Sequence, residues 1–511
     1  MNGKVRIVGA GPGDPTFLTL RAKEALDTAD VVVHDRLVSE DLLLGIKAEA
    51  KLIDVGKEQG NHPIPQEEIN HILIEEARQG KQVVRLKGGD PYIFGRGGEE
   101  ALALTAAGIA WEIIPGLSSA LAIPALAGIP LTHRGISSSL HIITWHDKDG
   151  LSPSSEKLEA LAKAGGSLAI LMGASHLAEI GRALMKEGFA PHIPAAIIES
   201  GAMPRQKTTK LTLEELAIFA QKPGAALTPP VLVVVGEACS LSDRLSHTPG
   251  TNAGAVIGHL PLGGLRILVT RPEPKNAELC ARIRELGGTP IPFPCIKIIP
   301  SRTLNSETIK RAISYQWIVF TSATGVEIFF GACRNEAIDF RAFSACRFAV
   351  IGKATAEALA RQGFIPDYMP DAYNSRSLGE GLAEKAKPGE KVLLARSGQG
   401  ASELPAILNE HGVGFGEFPL YDAIPAEGNR YAKKIIQQGR FDLAIFSSPS
   451  IVDSFAASFP SLDFARLKAL CIGEPTACRA REFGMNPLIA REASSEALLE
   501  LAGGIILPQG G

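Results

Sequence analysis

The chain has 511 residues, 45% of them hydrophobic and 21% charged, which excludes a single small module, a disordered chain and a collagen-like or coiled-coil rod. With 52 Lys and Arg against 55 Asp and Glu, the net charge is −3. No global basic field exists to hold nucleic acid or an anionic membrane, so an anionic ligand must be met by a local cluster of Arg and Lys.

The N-terminus enters a strand-like run at once, VRIVGAGPGDP, without the apolar core of a signal peptide. The glycines Gly9, Gly11 and Gly13 are spaced G-x-G-x-G, and Asp14 stands where a dinucleotide fingerprint needs its third glycine. That reading is set aside; a tight, ligand-free strand-to-helix turn stays open on this motif alone. A helix is expected over TLRAKEALDTAD. Three polar or glycine-rich runs follow: VVVHDRLVS (Val31 to Ser39), GKEQGNHPIPQEEIN (Gly56 to Asn70) and RLKGGDPYIFGRGGEE (Arg85 to Glu100). Gly88, Gly89, Gly95, Gly97 and Gly98 predict a loop through the last run, one that admits something close to its backbone. The longest apolar stretch, Leu121 to Leu131, is broken by Pro124 and Pro130 and is too short to span a bilayer.

Gly, Pro, Ser, Thr and Asn dominate Ser246 to Gly264, between the strand signals PVLVVVG and LRILVTRP. This predicts a linker between two units. The second unit echoes itself: FTSATGV (Phe320 to Val326) resembles FSSPSIV (Phe446 to Val452), and VIGKATA (Val350 to Ala356) resembles CIGEPTA (Cys471 to Ala477). A third, weaker pair is LVTRP (Leu268 to Pro272) with LLARSG (Leu393 to Gly398). Strand, polar turn and helix recur in the same order, which implies two copies of a doubly wound α/β unit. Seven Cys without a CxxC pair fit reduced thiols, and no two of the eleven His stand at metal-ligand spacing, so no metal is expected. The expected location is cytoplasmic.

Over about residues 4 to 243 the sequence resembles the tetrapyrrole methylase superfamily, and within it uroporphyrinogen-III C-methyltransferase. The GPGDP turn, the GGDP loop running into GRGGEE, and PGLSSALAIPALAGIPLTHR (Pro115 to Arg134) carry the resemblance. It implies a two-subdomain α/β fold with S-adenosylmethionine as cofactor. Pro12, Gly88, Gly89, Asp90, Ile93, Ser118, Ser119, Met172 and Gly201 would be its contacts. It further implies Asp35 as base, Lys57 as donor or carboxylate anchor, and Arg96 and Glu99 at the porphyrinogen. Each has a plainer reading: a cap or turn for Asp35, a solvated side chain for Lys57, and a structural salt bridge for Arg96 with Glu99. The sequence departs from the family at Tyr92, Trp145, Leu171, Ser200 and Ala202; Trp145, the largest change, is expected to narrow the cofactor cleft.

Residues 264 to 511 resemble uroporphyrinogen-III synthase through LVTRP, FTSATGV, VIGKATAEAL, LLARSG, FPLYDA, FSSPSIVDSF and CIGEPTA in that order. The resemblance implies two α/β lobes, lobe one from 264–299 plus 428–511 and lobe two from 300–427, following a methylase at 1–245 and a linker at 246–263. Tyr421 would donate to a leaving hydroxyl, and Ser322, Thr355, Ser448, Ser450 and Thr476, with Arg271 and Arg396, would hold substrate carboxylates; the plainer reading of the hydroxyls is helix capping. No cofactor is implied for this half. The combined expectation is a bifunctional enzyme that cyclises hydroxymethylbilane and methylates the product twice, at C2 and C7, to precorrin-2 for sirohaem or cobalamin. Its partners are small tetrapyrroles, with neither nucleic acid nor membrane, and the methylase half implies a homodimer. Two alternatives stay open: a methylase of another corrinoid precursor fused to a degenerate tetrapyrrole-binding module, and a two-lobe binding or sensing protein in the second half.

Overall fold

The computed structural model describes residues 3–56, 64–146, 151–203, 206–219, 226–245, 260–398 and 402–505. Among them no helix is long and apolar enough to cross a membrane. Strands are numbered in chain order. The first sheet holds β1 (Lys4–Gly9), β2 (Val31–His34), β3 (Lys51–Asp54), β4 (Gln82–Lys87) and β5 (Ala110–Ile114) in the order β3-β2-β4-β1-β5, with every pairing parallel. Such a sheet must be covered on both faces, and its strands read accordingly. Val8, Val32, Val84 and Leu86 join one core, while Val5, Ile7, Val31, Val33 and Val83 join another across the sheet.

The second sheet holds β6 (Leu140–Thr144), β7 (Ser167–Leu171), β8 (Pro194–Glu199), β9 (Lys207–Thr212) and β10 (Val231–Val235), ordered β6-β7-β10-β8-β9. β10 runs antiparallel to both β7 and β8, which brings the carboxyl ends of those two strands to one edge. Helix Ser119–Leu126 links the subdomains: Ala120 and Ile123 pack with Ala169, Ala196, Ile198 and Val234 of the second sheet.

β11 (Arg266–Val269) and β12 (Thr289–Pro292) begin a third sheet. The chain leaves it to build a fourth from β13 (Ile296–Pro300), β14 (Trp317–Phe320), β15 (Arg347–Val350), β16 (Lys391–Ser397) and β17 (Gly414–Pro425), ordered β13-β17-β16-β14-β15. It returns to the third with β18 (Leu443–Phe446), β19 (Lys468–Cys471) and β20 (Asn486–Ile489), giving β12-β11-β18-β19-β20, all parallel. The chain separates into two compact units, 1–293 with 427–511, and 294–426.

This moves one expected boundary. The resemblance puts residues 296–299 in lobe one, but β13 pairs antiparallel with β17, from Ile296 opposite Pro425 to Pro300 opposite Tyr421. Lobe two therefore begins at Pro294 and lobe one ends its first segment at Phe293. Most of the expected linker, 246–259, lies outside the described residues.

Candidate active sites

The parallel order of the first sheet brings the turns after β1, β4 and β5 to one edge. There the backbone packs on itself. Gly11 and Gly89 form an antiparallel bridge, with N to O distances of 3.2 and 2.8 Å. A Cβ on Gly116 would fall 2.3 Å from the Gly89 carbonyl oxygen, and one on Gly9 would fall 2.5 Å from Gly116. The close approach that these glycines signalled is thus made first by the chain's own loops. Asp90 locks the arrangement: its Oδ1 accepts from the Tyr92 N–H at 2.8 Å and its Oδ2 from the Gly116 N–H at 3.1 Å.

Most of the expected cofactor contacts converge here. Gly88, Gly89 and Asp90 lie in the turn after β4, and a Cβ on Gly89 would stand 3.6 Å from the Ser119 nitrogen. Ser118 is the N-cap of helix Ser119–Leu126, yet its hydroxyl makes no capping bond. Gly201 packs on Ile123 of the same helix, and a Cβ on Gly13, beside Pro12, would lie 3.3 Å from Met203 Sδ and 3.7 Å from the Gly201 carbonyl oxygen. Met172 closes β7 at the edge shared with β8 and is 59% exposed. Around this edge Tyr92, Ile93, Phe94, Leu117 and Leu121 also expose apolar surface. Five side-chain-bearing residues adopt positive φ in these loops: Phe94, Arg96, Met172, Ser200 and Ala202. Such backbone is costly and concentrates where ligands bind. Exposed apolar side chains, uncapped helix N–H groups and glycine turns fit a cofactor with both polar and apolar faces.

Beside the glycine turn stands a charged cluster. Asp35, at the end of β2, is 29% exposed at its side chain, and its Oδ1 accepts from Arg85 Nη2 at 2.5 Å; Lys87 Nζ is 3.9 Å from Oδ2. Arg85 Nε and Lys87 Nζ both donate to Glu100 Oε1, each at 2.9 Å, and Glu100 is fully buried. Glu100 Oε2 has no hydrogen-bond partner among the described residues. Burial, reinforced by the like charge of Arg85, pushes the Lys87 ammonium below its ordinary range. Burial likewise lowers the His34 imidazole. Asp35 caps no helix; its carboxylate is held by two cations, with one edge left toward solvent.

Sequence reasoning missed Arg85, Lys87 and Glu100. A signal was present: in QVVRLK two cations stand two residues apart among Val83, Val84 and Leu86, so both must lie on one face and find an anion there. Glu100 answers them from helix Gly97–Ala106, whose first two residues are glycines. The expected loop therefore ends at Arg96, and Gly97 and Gly98 open a helix instead. Arg96 and Glu99 pair bidentately, at 2.8 and 2.7 Å, with both side chains more than half exposed. Lys57 lies outside the described residues. Trp145 does not narrow the cleft. It is fully buried in the core with Leu158, Ile170 and Ile180, because it follows β6 on the face turned to the helices.

In the second half, strand, polar cap and helix recur as the sequence repeats predict. Ser322 caps helix Ala323–Asn335 after β14, its Oγ accepting from Gly325 N at 3.0 Å. Ser448 caps helix Pro449–Ser458 after β18 and bonds Ser450 Oγ at 3.0 Å. Glycines 352 and 473 begin the helices that follow β15 and β19. In lobe two the Tyr421 hydroxyl stands 3.0 Å from Ser322 Oγ, beside an irregularity where β16 and β17 lose register at Arg396 and Ser397. Thr355 and Thr476, in the first turns of the helices after β15 and β19, are only 4% and 2% exposed. Arg396 is buried and paired with Glu417 at 3.0 Å. Arg271 Nη1 donates to Ser495 Oγ at 2.6 Å, and burial lowers its pKa.

Residues 4–217 match the family described as Tetrapyrrole (Corrin/Porphyrin) Methylases, and residues 277–500 match Uroporphyrinogen-III synthase HemD. A porphyrin biosynthesis protein HemD of Ruminiclostridium josui is 38% identical over 99% of both chains. An S-adenosyl-L-methionine-dependent uroporphyrinogen III methyltransferase of Methanosarcina barkeri is 46% identical over 48% of this chain and 95% of its own. Among solved structures, a uroporphyrin III C-methyl transferase of Thermus thermophilus is 38% identical, covering 47% of this chain and 99% of that one with a TM-score of 0.41. The chain belongs to the family of the R. josui protein, as a bifunctional tetrapyrrole-biosynthesis enzyme that joins a methylase to a uroporphyrinogen-III synthase.

Proposed function

We propose that the C-terminal half closes hydroxymethylbilane to uroporphyrinogen III and that the N-terminal half methylates this product at C2 and C7, giving precorrin-2 for sirohaem or cobalamin. The observation that carries the reading is the partly exposed carboxylate of Asp35, held by Arg85 and Lys87 beside the Gly88–Gly89 turn. S-adenosylmethionine, when bound, supplies an electrophilic methyl group. The chain's residues do the rest. Gly88, Gly89, Ser118, Ser119 and Gly201 offer backbone and hydroxyl contacts, and Ile93 and Met172 offer apolar ones. Asp35 Oδ2 takes the proton that the methylated ring must lose, since Oδ1 is committed to Arg85. Arg96 exchanges Glu99 for a substrate carboxylate, a swap that keeps the guanidinium paired and leaves the exposed Glu99 carboxylate to water.

In the second half the reacting species is a cation that cyclises readily, so the protein's work is to fold the chain of pyrroles. Tyr421 donates to the leaving hydroxyl, with Ser322 behind it to orient the phenol. Ser448 and Ser450 present hydroxyls at a helix N-terminus, where carboxylates are favoured. The same reading makes the protein a cytoplasmic homodimer formed through its methylase half, which light scattering checks. The decisive assay supplies hydroxymethylbilane and S-adenosylmethionine together. Precorrin-2 is the expected product; uroporphyrin I alone removes the synthase reading, and unmethylated uroporphyrin III removes the methylase reading.

A further inference from the structure

The segment that carries Asp35 is gripped from outside the methylase. After the turn closed by Val38 N to Asp35 O at 3.2 Å, the chain forms helix Glu40–Leu44. Five residues are too few for a helix to persist unaided, and its N-cap, Ser39, makes no capping bond. Lobe one of the synthase holds both ends. At the start, Glu40 Oε1 accepts from Tyr431 Oη at 3.0 Å and from Arg440 Nη2 at 2.6 Å, while Oε2 accepts from Arg266 Nη2 at 3.0 Å. At the finish, Asn429 Nδ2 donates to the Leu43 and Ile46 carbonyls at 3.0 and 2.6 Å. The other atom of that amide, Oδ1, caps helix Arg430–Gln437 through the N–H groups of Tyr431 and Ala432. One buried side chain thus ends a methylase helix and begins a synthase helix. The Tyr431 ring packs against the methylase core that contains Val38, Leu42 and Leu43.

We propose that lobe one of the synthase positions the Asp35 segment of the methylase through helix Glu40–Leu44, making Asn429, Tyr431 and Arg440 positioning residues for methyl transfer. The path is short. Asp35 stands five residues before Glu40, and Leu37, between them, lies over the cofactor turn, its Cβ 3.1 Å from where a Cβ on Gly88 would be. A shift of this helix moves both the proposed base and the turn it faces, and misplacement of about 1 Å can cost on the order of a hundredfold in rate. The inference rests on the reading of Asp35 as the residue that takes the proton.

The test uses the full chain and separates the two activities by supplying uroporphyrinogen III directly in one assay and hydroxymethylbilane in the other. For the Arg440→Gln, Tyr431→Phe double variant the expected result is a fall of about tenfold to a hundredfold in kcat for methyl transfer. KM for uroporphyrinogen III and the cyclisation rate should stay close to those of the parent, and Arg440→Lys alone should recover most of the loss. Asn429→Ala should act in the same direction. Unchanged methyl transfer in these variants, in a protein where Asp35→Asn does lower it, overturns the positioning claim. So does a parallel loss of both activities and of melting temperature, which marks a purely structural contact. If Asp35→Asn leaves methyl transfer intact, the reading of Asp35 fails, and the positioning claim fails with it.

Discussion

At the edge of the first sheet the candidate catalytic groups are charged and interlocked, with Asp35, Arg85, Lys87 and Glu100 joined by ion pairs and one carboxylate edge left open. In the fourth sheet the corresponding place is neutral, a tyrosine hydroxyl on a serine hydroxyl that caps a helix. The difference follows the chemistry proposed for each. Removing a proton from a methylated ring needs a base fixed in one position, and two buried cations fix it. Guiding a reactive cation to the right ring closure needs shape and weak donors, and a strong nucleophile there would trap the intermediate.

The comparison breaks most sharply at Glu100. Replacing it with Ala leaves Arg85 and Lys87 buried with their shared anion gone, a loss of about 3–5 kcal/mol that denaturant unfolding should read, with methyl transfer falling alongside. Unchanged stability would mean that the cluster is hydrated rather than interlocked. Asp41 sharpens the contrast between buried carboxylates. Burial raises its pKa from 3.8 to about 6, against the opposing charges of Arg284 and Arg266. The neutral acid is therefore favoured in the fold; its stabilising effect is full below pH 3.8 and is lost as pH rises through about 6. Asp41→Asn should stabilise the protein at pH 8 by about 1–3 kcal/mol and make no difference at about pH 3 and below, as melting temperatures across that range would tell. Tyr421→Phe carries the smallest effect. Losing one neutral hydrogen bond is worth about 1 kcal/mol, so cyclisation should slow by no more than about tenfold. The ratio of uroporphyrin III to uroporphyrin I is the quantity to follow, and a loss of several hundredfold would place the phenol in a stronger acid role than the neutral pair implies.

What the sequence made legible was local. Ser322 and Ser448 could be found by eye because a cap is written within a few residues of its strand and helix, and the repeat doubled the signal. The glycine turns were legible for the same reason, although part of what they admit proved to be one another. The partners of Asp35 were not, because Arg85 and Lys87 reach it from the neighbouring strand, and Glu100 joins those cations from a helix that no spacing rule connects. The seam at Phe293 was hidden likewise: Ile296–Pro300 looks like any short strand until its antiparallel pairing with β17 assigns it to lobe two. Trp145 was misjudged since a motif fixes where a residue sits along the chain but not which face it turns to the core.

The detour of the chain between Phe293 and Glu427 also sets a timetable. Strands β11 and β12 leave the ribosome early, yet β11 has no neighbour on its other side until β18 arrives, and the Arg266 N–H waits for the Asp442 carboxylate 176 residues later. Asn429, Tyr431 and Arg440 emerge in that same last stretch. The methylase, whose two sheets are complete long before, therefore spends the remainder of synthesis with helix Glu40–Leu44 lacking its contacts to Asn429, Tyr431 and Arg440, although Arg266 is already made. A methylase that folds as it is made would have to wait for the end of the other enzyme before that segment is fully set.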